Sequence, residues 1–417
     1  RHFVFDAALT MCTSACAGHG NGKPARSHRL CHSSHFSSHR EQEVLGQAVA
    51  KPLRALALTL LVLNQPAAFT ALAAYRRPAL PTAAARGSGR WLTGVLSASS
   101  SAAPSDSLPP LKAAVIIPGF LNDQSDFEPL ARSLSARGLP TAVVPLPLWH
   151  WIPQVGGRSV RPILERIDHA VRHVAAMGNV ETTSPLVVPP VGYNALDCWQ
   201  DFKTNPGGVA SVGGSDKPDD YPSDISPCGT FAPAGPPKGR IALIGHSASG
   251  WMARIYLSDR SYGGKAYSGA SLVHSLLTLG SPHLVGAGVP FFSVEWANRE
   301  PIPSSVRCLA VGARGTPGNS SGSLTLGAYS FCTASGKGGE ALDGDGITTL
   351  ESATTLAGAE QLVLDGVTHY PWTSAPLADL VAPDLTKAYR EEGVPWYGSE
   401  SVIDSWLPWL LEGMQKS

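Results

Sequence analysis

The chain has 417 residues, 43% of them hydrophobic and 15% charged, enough to bury the core of one large domain or of two. The formal net charge is zero but unevenly divided: residues 1–110 carry 11 Lys+Arg against 4 Asp+Glu, and the remainder carries a net charge of −7. A mildly acidic main body lacks the electrostatic footprint of a nucleic-acid binder, so no nucleic-acid partner is expected.

Residues 1–110 read as a presequence outside the folded domain. The chain opens on Arg1, and Met11 is a candidate start. Six histidines (His2, His19, His28, His32, His35 and His39) fall irregularly in a Ser/Arg/Ala-rich stretch, a pattern of disorder rather than of a metal cluster. After Lys51 and Arg54 comes an apolar run, Ala55 to Leu63, followed by small residues from Ala67 to Ala74. The run is shorter than the about 20 residues a bilayer span requires, and its layout is that of a signal-type segment. Arg76, Arg77, Arg86 and Arg90 then lie in an Ala/Ser-rich background with no acid before Asp106, which resembles a plastid transit peptide. Plastid import is the expectation; secretion is the alternative.

From residue 111 the pattern alternates between short apolar runs and helical periodicity. Ala113-Ala114-Val115-Ile116-Ile117 reads as a buried parallel strand ending in Pro118-Gly119-Phe120. Residues 126–134 have helical spacing with Gly138 as a stop, and Thr141 to Leu146 form the next strand. Residues 161–174 place Ile163, Leu164, Ile167, Ala170, Val171 and Val174 on one helical face, with Pro162 near the start where proline is tolerated. His169 and His173 sit one turn apart on that helix, a spacing open to metal but equally that of a half-buried face. Residues 175–238 break the alternation. They are rich in Gly, Pro, Asp and Ser and read as a surface insertion.

Arg240-Ile241-Ala242-Leu243-Ile244-Gly245-His246-Ser247-Ala248-Ser249-Gly250 is a strand, a sharp turn and the start of a helix. The turn presents a single hydroxyl, Ser247, at the carboxyl end of a buried strand, where the following helix N-terminus adds free N–H groups and positive potential. Leu272 to Gly280 is a further strand, ending in Ser281-Pro282-His283. Residues 284–305 carry Val289, Phe291, Phe292, Val294 and Trp296 among prolines, and read either as a lid over a pocket or as ordinary core packing. Arg307 to Gly312 and Gln361 to Leu364 are the last strands. An apolar helix around Val402, Ile403, Trp406, Leu407 and Leu410 closes the chain.

Cysteines give no CxxC spacing, which argues against zinc. Cys198 with Cys228, and Cys308 with Cys332, are open to two readings: disulfides in an oxidising compartment, or free buried thiols.

Several segments together resemble the α/β-hydrolase superfamily, in particular its plastid and cyanobacterial lipase-like branch: the Gly-His-Ser-Ala-x-Gly-Trp elbow, the Leu-Gly-Ser-Pro-His strand end, Gly344-Asp345-Gly346, Gly366-Val367-Thr368-His369 and Pro395-Trp396-Tyr397-Gly398. The resemblance covers residues 111–417. It departs from the family pattern at Ser249, where a glycine is usual, and in the insertion at 175–238. It implies an α/β-hydrolase fold with a mostly parallel sheet, helices on both faces and a Gly/Pro-rich insertion. It also implies Ser247 as nucleophile, His369 as base and Asp345 as the acid that orients it, in the family's chain order, with the N–H groups of Phe120 and Ala248 as the oxyanion hole. His283 is a rival histidine, and Asp343 and Asp365 are rival acids. A pocket for an apolar acyl ester is expected among Leu121, His246, His283, Phe291, Phe292 and Trp296, with a peripheral membrane contact and with no cofactor or metal. The expected activity is hydrolysis of a carboxylic ester. Acyl transfer on the same triad and a non-catalytic binding role are the alternatives.

Overall fold

The computed structural model describes residues 108–120, 122–151, 159–192, 229–286, 292–319, 323–333, 339–370 and 393–415. The expected presequence therefore lies outside the described residues, apart from its last three positions.

Six strands form one all-parallel sheet: β1 (Pro110–Ile117), β2 (Thr141–Val143), β3 (Arg240–His246), β4 (Val273–Leu279), β5 (Arg307–Arg314) and β6 (Glu360–Asp365). Their order is β2-β1-β3-β4-β5-β6, every neighbouring pair parallel. The continuous apolar run in β1 is explained by cover on both faces. Ala113, Val115 and Ile117 enter one core layer, while Ala114 and Ile116 enter the other, as the two-residue period of a strand dictates.

The helices divide accordingly. On one face lie α1 (Gln124–Ala136), through Phe127, Leu130, Ala131 and Leu134, and the C-terminal α7 (Glu400–Gly413), through Val402, Ile403, Trp406, Leu407 and Leu410. On the other face lie α2 (Arg161–Met177), α3 (Ala248–Leu257) and α4 (Phe292–Arg299). Two further helices, α5 (Ser323–Phe331) and α6 (Leu350–Thr354), flank the loop between β5 and β6. Helix α1 begins with a reciprocal cap: Asp123 accepts from Ser125 N, and Asp126 accepts from Asp123 N at 3.0 Å.

Three expectations are refined. Strand β2 ends at Val143 rather than Leu146: Val144 N still donates to Ile116 O at 2.9 Å, but the next amide on that side, Leu146 N, turns back onto Val144 O at 2.7 Å. The insertion is not a surface excursion from its start: α2 runs to Met177, Leu186 N bonds Thr141 O at 3.0 Å, and Leu186 and Val188 pack against the core. Residues 193–228, with Cys198 and Cys228, lie outside the described residues. Cys308 and Cys332 are free, buried thiols. Among the described residues no helix is long and apolar enough to cross a membrane.

The chain leaves β1 toward one edge of the sheet, and the later strands build out on the other. The crevice beyond the carboxyl ends of β1 and β3 is thus a topological switch point, where open parallel sheets place their ligands. The loop Pro118-Gly119-Phe120 and Ser247 both lie there.

Candidate active site

Ser247 joins β3 to α3 with φ 53° and ψ −129°, one of two non-glycine residues with positive φ among those described. A serine held so is strained by roughly 1–3 kcal/mol, which the packed turn must sustain. Its amide donates to Leu279 O at 2.9 Å, locking the turn onto the end of β4. Close approach of α3 to β3 rests on a glycine one position later than the family pattern has it. A Cβ on Gly245 would come within 2.8 Å of Gly250 Cα, and a Cβ on Gly250 would collide with Ser281. Ser249, where the resemblance expects glycine, instead donates its hydroxyl to Pro118 O, tying the elbow to the loop after β1. Gly119 in that loop packs against the His246 ring and Ser247 Cβ.

Two amides at this junction accord with an oxyanion site. Ala248 N is the first amide of α3, where no intrahelical carbonyl lies behind it. Among the described residues no backbone carbonyl accepts from Ala248 or Phe120. Phe120 is half-buried, its ring 5.7 Å edge-on to Trp151.

Asp345 and His369 come from separate loops, before α6 and after β6. Both are fully buried, and His369 Nδ1 stands 2.7 Å from Asp345 Oδ2. Asp345 Oδ1 accepts from Ile347 N at 3.0 Å and from Thr348 N at 2.7 Å, while Oδ2 also accepts from Tyr397 Oη at 2.9 Å. The main chains are joined as well, His369 N to Asp345 O at 3.0 Å. With Asp345 accepting at Nδ1, the imidazole is held as the Nδ1–H tautomer, and Nε2, buried and without a hydrogen bond, is left as a base.

No hydrogen bond joins Ser247 to His369 Nε2, and the pair is linked to the serine's turn through neighbouring residues. Gly280 follows Leu279, to which Ser247 is bonded. A Cβ on Gly280 would meet Asp345 Oδ2 at 2.6 Å and His369 Nδ1 at 3.1 Å. His246, adjacent to Ser247 in the chain, donates from Nε2 to His369 O at 2.8 Å.

The rivals are accounted for. Asp343 accepts from Gly315 N and Gly344 N, and Asp365 is exposed and paired with Arg314 at 2.6 Å. His283 is buried beside Thr278, with Nε2 3.3 Å from its hydroxyl, and burial first, then the Arg254 charge, hold it well below the usual histidine range. His169 and His173 each bond a main-chain carbonyl, of Pro189 and Ala232, and no cluster suited to a metal exists among the described residues.

Three expected pocket residues are placed differently. His246 is fully buried behind His369, against Phe127 and Trp396, because its ring points into the α1/α7 layer. His283 is enclosed at the end of β4. Trp296 is 1% exposed and packs edge-on to Tyr262 at 5.4 Å, so this part of α4 serves the core rather than a lid surface. Leu121 and Phe291, and the side chain of Phe292, lie outside what is described.

Sequence reasoning assigned no part to Tyr397. The only available signal was its place in the late Pro-Trp-Tyr-Gly segment; nothing local announces that a phenol from residue 397 reaches the carboxylate of residue 345.

No protein-family model matches the chain, and no curated protein matches it.

Proposed function

We propose that the protein is a serine hydrolase of the α/β-hydrolase type that cleaves a carboxylic ester, the acyl part being apolar, through an acyl-enzyme. The observation that carries the reading is a strained serine at the end of a central parallel strand, whose preceding residue His246 is hydrogen-bonded to the main chain of a fully buried His–Asp pair. A serine hydroxyl is a weak nucleophile at neutral pH and needs an oriented base. In this reading Ser247 Oγ attacks the ester carbonyl while His369 Nε2 takes its proton. Asp345 holds the imidazole and balances its charge, and the amides of Ala248 and Phe120 receive the oxyanion. The carbon–oxygen bond to the alcohol then breaks as His369 returns the proton to the leaving oxygen. Water, deprotonated by the same nitrogen, releases the acid and regenerates Ser247.

The test uses the full chain with a fluorophosphonate probe and acyl esters of increasing chain length, for wild type, Ser247→Ala and His369→Ala. Labelling and turnover present in wild type and lost in both variants are expected. A folded wild type that neither labels nor turns over any ester would sink the reading.

A further inference from the structure

Tyr397 is fully buried, yet it lies far in the chain from the loops that carry Asp345 and His369. Its hydroxyl donates to Asp345 Oδ2 at 2.9 Å, the same oxygen that faces His369 Nδ1 at 2.7 Å. The other carboxylate oxygen is already taken by two main-chain amides. Four donors therefore surround one carboxylate, and one of the two side-chain donors is this phenol.

The segment that delivers it is anchored on both sides. Thr368 N donates to Pro395 O at 2.8 Å, part of a parallel bridge between Thr368 and Trp396, so the segment is pinned to the residue next to His369. Trp406 Nε1 on α7 donates to Tyr397 O at 3.0 Å, which ties it to the C-terminal helix. Tyr397 shares the core layer of Ile403, Trp406 and Leu407, and its hydroxyl reaches past that layer to the shared carboxylate oxygen.

We infer that Tyr397 is a positioning residue for the proposed triad: by sharing Asp345 Oδ2 with His369 Nδ1 it sets the direction and the strength of the His–Asp hydrogen bond. Two donors on one oxygen divide its charge, so the phenol tempers how strongly Asp345 holds the imidazole, while fixing the carboxylate plane along which the imidazole must lie. The assignment rests on the hydrolase reading only for its catalytic consequence; the hydrogen-bond coupling itself exists without substrate.

The direct measurement is the low-field proton resonance of His369 Nδ1–H, assigned by its loss in His369→Ala. In Tyr397→Phe the oxygen serves His369 alone, and the resonance is expected to move further downfield. With 3-fluorotyrosine at position 397, a stronger donor, it is expected to move upfield. On an active enzyme, Tyr397→Phe should lower kcat about tenfold with KM unchanged, the loss of one charge-assisted hydrogen bond that never touches substrate. Where Tyr397→Phe fails to fold, the fluorotyrosine protein decides alone. A resonance that stays put with fluorotyrosine, or moves the same way in both proteins, overturns the assignment. Opposite shifts in a protein inert to the fluorophosphonate probe would instead overturn the hydrolase reading and leave the coupling standing.

Discussion

His246 donates from Nε2 to the main-chain carbonyl of His369, 2.8 Å away and wholly buried. Since a carbonyl only accepts, the proton of His246 is fixed on Nε2, and Nδ1 is left facing Gly119 without a partner. One ring therefore links the residue preceding Ser247 to the loop that carries His369. Replacing it with leucine strips the donor from a buried carbonyl, and His246→Leu is expected to cost about 1–3 kcal/mol in urea unfolding at neutral pH.

Acid should destabilise the fold through its buried histidines. Burial first, with His369 next, holds His246 well below the usual value of 6.5, and burial lowers His274 to about 4. The unfolded chain takes up these protons near 6.5 while the folded chain does not. Stability from these groups is thus complete above that pH and is lost as pH falls toward the folded values, at about 1.4 kcal/mol per pH unit per proton. For His274 the window runs from 6.5 down to about 4. Unfolding free energies at about pH 7 and about pH 5 should show this fall, and His274→Gln should flatten it by one proton; an unchanged slope would remove His274 from the account.

The backbone of Ser247 suits glycine better than serine. At φ 53° and ψ −129° a Cβ is strained, and Ser247→Gly should be more stable than Ser247→Ala by about 1 kcal/mol, with neither reacting with a serine probe. Paired thermal melts decide the point, and equal melting temperatures would mean that the turn holds no strain.

Gly280, at φ 58°, has no room for a side chain between Asp345 and Tyr397. Gly280→Ala would place a Cβ 2.6 Å from Asp345 Oδ2 and 2.7 Å from Tyr397 Cε2. It should cost about 2–4 kcal/mol, strain and overpacking together, and should weaken the His–Asp bond more than it disturbs the sheet. Circular dichroism with the Nδ1–H resonance separates the two: a retained sheet with the proton signal lost is the expected result.

Ser249 departs from the glycine of the family pattern, and its hydroxyl has a definite task, donating to Pro118 O. Ser249→Ala should cost about 1–2 kcal/mol and loosen the Phe120 loop relative to Ser247. Reactivity toward a fluorophosphonate should fall while the fold persists. Wild-type reactivity in the variant would show that the loop is held by other contacts.

The sheet was legible because a strand covered on both faces must be apolar throughout. Ala113 to Ile117 has that composition, Leu272 to Leu279 has it apart from the buried His274, Ser275 and Thr278, and segments 126–134 and 161–174 have the 3.6-residue spacing of amphipathic helices. The turn was legible because a sharp strand-to-helix turn that carries a serine demands small neighbours, and those neighbours are contiguous in the chain. The order Ser247, Asp345, His369 was readable by resemblance, but the 2.7 Å contact that selects Asp345 over Asp343 and Asp365 was not. Nor did His246, His283 and Trp296 announce that their rings turn into the core instead of toward a pocket, since a strand-end or helical position does not by itself say which layer will cover it. The reach of Tyr397 to Asp345 belongs to the same class. Local pattern is set by burial and backbone geometry within about ten residues, and it fixes strands, helices and turns. Which side chains meet across hundreds of residues is set by how those elements pack, and here the packing of α7 against the sheet decides what surrounds the carboxylate.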